Sequence, residues 1–291
     1  MLRYVSILIL TVVAAGCTPA KQPPAGGSGS AGSSATVAAP QTIVLQTTTS
    51  PRDTGLLDML LPLFKQQTGI DVKVVAVGSG QALENARRGD GDVIVAHSPE
   101  AEEKFMADGF GTVRKPLMEN DFLIVGPAGD PAGVKQAKSA AEAFKLIADK
   151  KAPFISRNDE SGTHVKEKAV WKAAGLDPVA LDAAAAWYVR AGLGMAAALR
   201  MTDEKQAYTL CDRGTYLSQK AKVKLDELFA GDPVLVNKYS VIAVSGAKHP
   251  GLNEAAARKF ADFLTTPETK RLIGEFGRKE YGQSLFKPRD E

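Results

Sequence analysis

The chain has 291 residues, of which 44% are hydrophobic and 24% charged, the proportions of a globular protein able to bury a sizeable core rather than of a disordered or fibrous chain. Its formal net charge is only +3, with Lys and Arg scattered along the chain, so no basic stripe points to nucleic acid.

The first segment, MLRYVSILILTVVAAGC, places a basic Arg3 before an apolar run over 5–13 and small residues before Cys17, the layout of an export signal. The apolar run is too short to span a bilayer. Its AAGC end resembles the lipobox of bacterial lipoproteins, with Ala14 where Leu is usual, and predicts a signal over 1–17 and lipidation at Cys17. Residues 18–40, rich in Pro, Gly, Ser and Ala, have no periodic apolar face and read as a flexible tether that lets a folded domain reach away from a membrane. Once Cys17 is lipidated, Cys211 is the remaining thiol. That excludes an intramolecular disulfide and leaves Cys211 as a small buried hydrophobe.

From residue 42 the runs TIVLQT, GLLDMLLPLFKQQTG, DVKVVAVGS, GQALENARRGD and DVIVAHS alternate strand and helix patterns, a βαβαβ rhythm that predicts parallel strands covered by helices. In the first helix Leu56, Leu57, Leu60, Leu61 and Phe64 share a face and Gly69 is a stop, while Pro62 predicts a kink or a late restart. A strand DFLIVGP opens a second block with a strand APFIS, a helix THVKEKAVWKAAG and helical segments GMAAALRM and EKQAYTLCD. Trp171, Trp187 and Tyr188 in this block read as packing residues. The strand YSVIAVS then returns, followed by the helical stretch NEAAARKFADFLTTPETKRLIGEFG. Two α/β lobes joined by two crossovers fit this order, with 41–122 and 233–291 forming one lobe and 123–232 the other. In such folds a ligand sits in the crevice at the carboxyl ends of the strands.

The successive hydroxyls of Thr47, Thr48, Thr49 and Ser50 stand where the first strand meets the first helix. Capping needs one of them. The others make a donor-rich surface suited to an anion. FISRNDESGTH repeats this chemistry in the second block: Ser156, Ser161 and Thr163 bring hydroxyls, Gly162 allows close backbone approach, and Arg157 brings a permanent charge on a planar fork of donors. VGSGQAL, with Ser79, Gly80 and Gln81, is a third donor loop after a strand. Gly192 and Gly194 before a helical run make a turn, with Gly194 also a candidate for presenting a backbone N–H to the anion.

TTTS, VAVGSGQAL, NDFLIVGP, SRNDESGTH and DRGTYL, in this order and spacing, resemble the tungstate-binding proteins of ABC importers, the TupA family, from about residue 42 to about 288. The resemblance implies a two-lobed type II periplasmic-binding-protein fold, each lobe a mostly parallel sheet flanked by helices. It implies a monomer without a cofactor or metal that captures the oxyanion outside the cytoplasm and passes it to a membrane permease driven by an ATPase. The implied ligand set is Thr48, Thr49, Ser50, Ser79, Arg157, Ser161, Gly162 and Thr163. The family usually carries Thr in place of Ser79, and Gly-Asp-Asp in place of Asn158, Asp159 and Glu160.

Other ligands and another class share these residues. Phosphate, unlike tungstate, molybdate or sulfate, carries a proton at neutral pH that a carboxylate facing the ligand would accept. Asp53, Asp159 and Glu160 are therefore expected to point outward or to pair with Arg157. A hydrolase built on Ser161, His164 and Asp159 would need all three aligned within one loop, and GSG at 78–80 lacks the spacing of a nucleophile elbow. His97, His164 and His249 are too dispersed for a metal site.

Overall fold

Strand β1 (Thr42–Thr47) alternates Ile43 and Leu45, both fully buried, with residues facing the other way, as a strand covered on two sides requires. The computed structural model describes residues 41–184 and 186–290. Cys17, the export signal and the tether lie outside the described residues. After β1 come α1 (Thr49–Asp53), α2 (Leu56–Thr68), β2 (Asp71–Ala76), α3 (Ser79–Arg87), β3 (Val93–Ala96) and α4 (Pro99–Ala107). The chain continues through β4 (Gly111–Pro127), α5 (Ala140–Asp149), β5 (Phe154–Ser156), α6 (Gly162–Ala173), α7 (Pro178–Ala184), β6 (Tyr188–Arg190), α8 (Met195–Glu204), β7 (Thr209–Asp212), α9 (Arg213–Gln219) and β8 (Leu225–Phe229). It ends with β9 (Val236–Val244), α10 (Glu254–Leu264), α11 (Pro267–Glu275), α12 (Arg278–Tyr281) and β10 (Lys287–Pro288).

The two lobes are two sheets that share one long strand. β4 pairs with β9 as far as Asp121, then from Phe122 pairs with β7 and β8. Strand order in the first sheet is β10-β4-β9-β3-β1-β2. In the second, β7 and β8 flank the end of β4, and β5, paired with β6, meets the start of β7 through a bridge from Phe154 to Tyr208. Period-two alternation supplies both faces of each sheet. Val93 and Val95 join the α2 and α10 side chains Leu60, Phe64 and Phe260, while Ile94 and Ala96 face Ala82, Leu83 and Phe105 of α3 and α4. Across β4, Phe122 and Ile124 enter the cluster of Phe144, Phe154 and Trp171, and Leu123 and Val125 pack on Met195 and Leu199 of α8. Each such large apolar side chain contributes roughly 1.5–3 kcal/mol through burial. Trp171 and Tyr188 are buried as expected, but Trp187 is only partly covered.

Three expectations need correction. The sheets are mixed rather than mostly parallel: β1 runs parallel to β2 and β3, but β9 is antiparallel to β3 and β4, and β4 is antiparallel to β7, β8 and β10. Their shared strand and its returning neighbour run in opposite directions, which forces this. The segment EKQAYTLCD is not helical throughout. α8 ends at Glu204, Gln206 takes a left-handed φ of 48°, and β7 begins at Thr209. β7 is buried along its whole length, and a fully buried run lacks the alternation that separates strand from helix. Finally, α2 runs unbroken through Pro62. Pro62 and Asp58, the residue whose carbonyl loses its donor, both lie on the exposed face, where water can serve that carbonyl. The break comes earlier, at Gly55, whose φ of 84° separates α1 from α2.

Candidate oxyanion-binding site

The β1–α1 junction makes Thr48 the residue that caps α1, in extended backbone, yet its hydroxyl makes no cap hydrogen bond. Thr48 is buried, and its Oγ1, beside the equally buried Tyr239 hydroxyl, makes no hydrogen bond of good geometry. An unpaired buried hydroxyl costs about 1–3 kcal/mol unless something else meets it. Thr47, by contrast, donates to the Val95 carbonyl at 3.0 Å and is spent on the sheet.

Thr48, Thr49 and Ser50 form one wall of a cavity of about 130 Å³ whose facing wall is Arg157, Ser161, Gly162, Thr163 and Gly194 from the second lobe. Organic-ligand pockets usually measure about 300–1,000 Å³, so this one is scaled for a small ion. A wider cleft of about 860 Å³ adjoins it and shares Gly78, His97, Asp159 and Gly162. Ser79 is placed differently from the other expected ligands. It is buried behind the wall, and its Oγ accepts the His97 backbone N–H at 3.3 Å.

The lobes approach closely at two glycines beside the cavity. A Cβ on Gly162 would lie 1.9 Å from His97 Cε1, and one on Gly78 would lie 3.3 Å from Ser161 Cα. Only glycine at 162 lets the start of α6 rest on the His97 ring.

Arg157 is held on several sides. Its Nε donates to the Leu193 carbonyl at 2.7 Å, its backbone N–H to Glu167 Oε2 at 3.1 Å, and its Nη2 to Asp159. The Glu167 carboxyl also accepts the Tyr188 hydroxyl at 2.7 Å. Burial pushes Glu167 up to about 7, with the hydrogen bonds from Tyr188 and the Arg157 N–H opposing the rise. As expected, Asp159 pairs with Arg157, but it also lines the cavity. Glu160 points outward to Lys168 and His164, and Asp53 is exposed beside Arg52.

The sequence reading missed two groups at the cavity. His97 follows β3 directly, at the carboxyl end of a strand where such sites form. Burial lowers its imidazole to about 4, so at neutral pH it lines the cavity uncharged. Asp212, at the end of β7, is buried and caps α9 by accepting the Thr215 N–H at 2.9 Å. Burial raises its carboxyl, and the Thr215 hydrogen bonds and the Arg157 charge pull it back. The signal for Asp212 was a strand end, which the helical reading of its segment concealed.

Ser161, His164 and Asp159 do not form a catalytic relay. The Ser161 hydroxyl donates to Asp159 at 2.6 Å, while the His164 ring faces Glu160 and only the His164 backbone N–H reaches Ser161 Oγ. Among the described residues no group of three or more His, Cys, Asp or Glu side chains is gathered as metal ligands would be. Cys211 is buried and burial raises its thiol well above the usual range.

Two α/β lobes around a small cavity whose wall joins the hydroxyl residues of both lobes to Arg157, with His97, Asp159 and Asp212 beside them, define a solute-binding protein for an anion. Residues 29–268 match the family described as PBP superfamily domain. The chain is 45% identical to the tungstate-binding protein TupA of Peptoclostridium acidaminophilum, over 97% of this chain and 96% of that one. In structure it is similar to the tungstate-binding protein TupA from Desulfovibrio alaskensis G20 (TM-score 0.74, 42% identity, 86% of this chain and 100% of that one). It is also similar to the tungstate ABC transporter structure from Geobacter sulfurreducens (TM-score 0.72, 49% identity, 81% and 98%). The chain belongs to the PBP superfamily and, within it, to the family of the tungstate-binding protein TupA.

Proposed function

We propose that the protein captures tungstate outside the cytoplasm and delivers it to the permease of an ABC importer and, through it, to the ATPase. The observation that carries this is the Thr48 hydroxyl, buried without a well-formed hydrogen bond in the wall of a cavity that Arg157 closes from the other lobe. The relatives that share this chain over most of its length bear the name tungstate-binding. Thr48, Thr49, Ser50, Arg157, Ser161, Gly162, Thr163 and Gly194 hold the anion directly, while Ser79 supports the wall through its bond to His97. The lobes are 41–122 with 233–291, and 123–232. The protein works as a monomer, without cofactor or catalysis, in the periplasm or at the cell surface, fixed to the membrane by lipid on Cys17. No helix among the described residues is long and apolar enough to cross a membrane.

Hydrogen phosphate is a second reading, favoured by one observation: the buried Asp212 carboxyl lines the cavity and would accept the proton of such an anion when ionised. Calorimetric titration and thermal melts with tungstate, molybdate, sulfate and phosphate decide between them, because a ligand of the folded state alone raises its stability by mass action. Tungstate binding with a raised melt is expected. A melt that responds to phosphate and not to tungstate replaces the ligand and keeps the site.

A further inference from the structure

Three of the donors that face the cavity from the second lobe are already answered by one side chain. Asp159 Oδ2 takes the Arg157 Nη2 N–H, and Asp159 Oδ1 takes both the Ser161 hydroxyl at 2.6 Å and the Ser161 backbone N–H at 3.2 Å. A guanidinium, a hydroxyl and a backbone amide converging on two oxygens is the reception an oxyanion needs. The carboxylate is held two residues from Arg157, at high effective concentration, so it competes with any free anion.

A doubly charged oxyanion cannot share this reception with the carboxylate. Like charges at hydrogen-bond distances repel strongly in a site screened from water. The geometry also supplies a way out. Asp159 lines both the small cavity and the wider cleft beside it, and its side chain is 21% exposed. On either side of it Asn158 and Glu160 take left-handed φ values of 43° and 52°, a backbone that favours glycine and stores strain in this loop. Glu160 anchors the far side of this loop to Lys168 and His164, so Asp159 can turn without unravelling α6.

We propose that Asp159 is a resident anion of the site: its carboxylate holds Arg157 and Ser161 until an oxyanion displaces it into the wider cleft. It thereby sets an affinity threshold that weakly held anions do not pass. This rests on the anion-binding reading above and adds to it a residue that opposes the ligand. Arg157 and Ser161 are kept in their binding geometry without a ligand, and the contribution of Asp159 to affinity is negative.

The test titrates the parent protein, Asp159→Asn and Asp159→Ala by calorimetry at fixed ionic strength, with two pairs of tetrahedral anions that differ by one charge. These are tungstate against perrhenate and sulfate against perchlorate. If Asp159 leaves the site before the anion is seated, its removal strengthens both members of a pair by the same factor, tenfold or more. A gain clearly larger for the dianion shows a carboxylate that stays beside the ligand, and overturns displacement. Weaker binding of both members shows that Asp159 merely orients Arg157, and unchanged affinity shows that it does not compete; either overturns the proposal. Thermal melts without anion check that each variant is folded, and the second variant serves if the first is not. If neither the parent nor the variants bind any of the anions, the anion-binding reading and displacement are both overturned; binding of both members of a pair that emerges only when Asp159 is removed supports both.

Discussion

At the residue scale the second lobe places a carboxylic acid where burial decides its charge. Glu167 lies beneath the 157–161 loop, accepts the Arg157 N–H and the Tyr188 hydroxyl, and is raised by burial to about 7 from an ordinary 4.5. A carboxyl whose folded value exceeds its unfolded one stabilises the fold fully below the unfolded value, and that stability is lost as pH rises through the folded value. The window is therefore about pH 4.5 to 7. Glu167→Gln keeps the shape and a hydrogen-bonding oxygen but cannot ionise. Between pH 4.5 and 7.5 the stability of this variant relative to the parent should rise by about 1–3 kcal/mol, measured by denaturant unfolding at each pH. A difference that stays flat with pH would show that Glu167 is not held in its neutral form. Sequence could not reveal this, since Glu167 sits in a helix pattern indistinguishable from an exposed glutamate until Tyr188, far along the chain, packs on it.

At the scale of elements, α2 carries a proline in its interior without a break. An interior proline costs a helix about 3 kcal/mol in a host peptide. Here the exposed Asp58 carbonyl recovers part of that from water. Pro62→Ala should therefore stabilise the protein by roughly 1–2 kcal/mol, read as a higher denaturant midpoint with an unchanged slope. A lowered midpoint would mean that the ring has a packing role its exposure does not suggest. The proline was plain in the sequence, whereas its tolerance depended on which face of α2 the core would cover. The same distinction runs through the site. The hydroxyl clusters after β1 and before α6 were legible because a strand end followed by a helix start exposes backbone donors whatever the surrounding fold. The groups at the ends of β3 and β7 were not, because His97 looked like an isolated histidine and Asp212 lay in a buried strand without alternation. Asn158 shows a partial case: its left-handed φ of 43° is a backbone that glycine adopts freely and asparagine tolerates, so the local sequence is compatible with the turn without announcing it.

At the scale of the whole molecule, the cavity exists only where the two lobes meet, so its chemistry and the relative position of the lobes are linked. β4 changes sheets between Asp121 and Phe122, and at that point Asp121 accepts a hydrogen bond from Arg213 Nη2 at 2.6 Å, tying the crossing to the start of α9. Bending about such a crossing moves the lobes while leaving each sheet intact. A ligand touching both walls favours the arrangement that brings them together, by its differential affinity for the two arrangements. The limit of that approach is visible at Gly162, which rests on the His97 ring with no room for a methyl group. Small-angle scattering with and without tungstate should therefore show a smaller radius of gyration when the anion is present. In Gly162→Ala, whose Cβ would lie 1.9 Å from His97 Cε1, the compaction should be reduced and tungstate affinity should fall with it. The pairing of the two readouts matters. A variant that binds less tightly but compacts as the parent does would show that the lobes close without the His97 contact. A parent protein with the same radius in both conditions would show that the anion enters a site already formed.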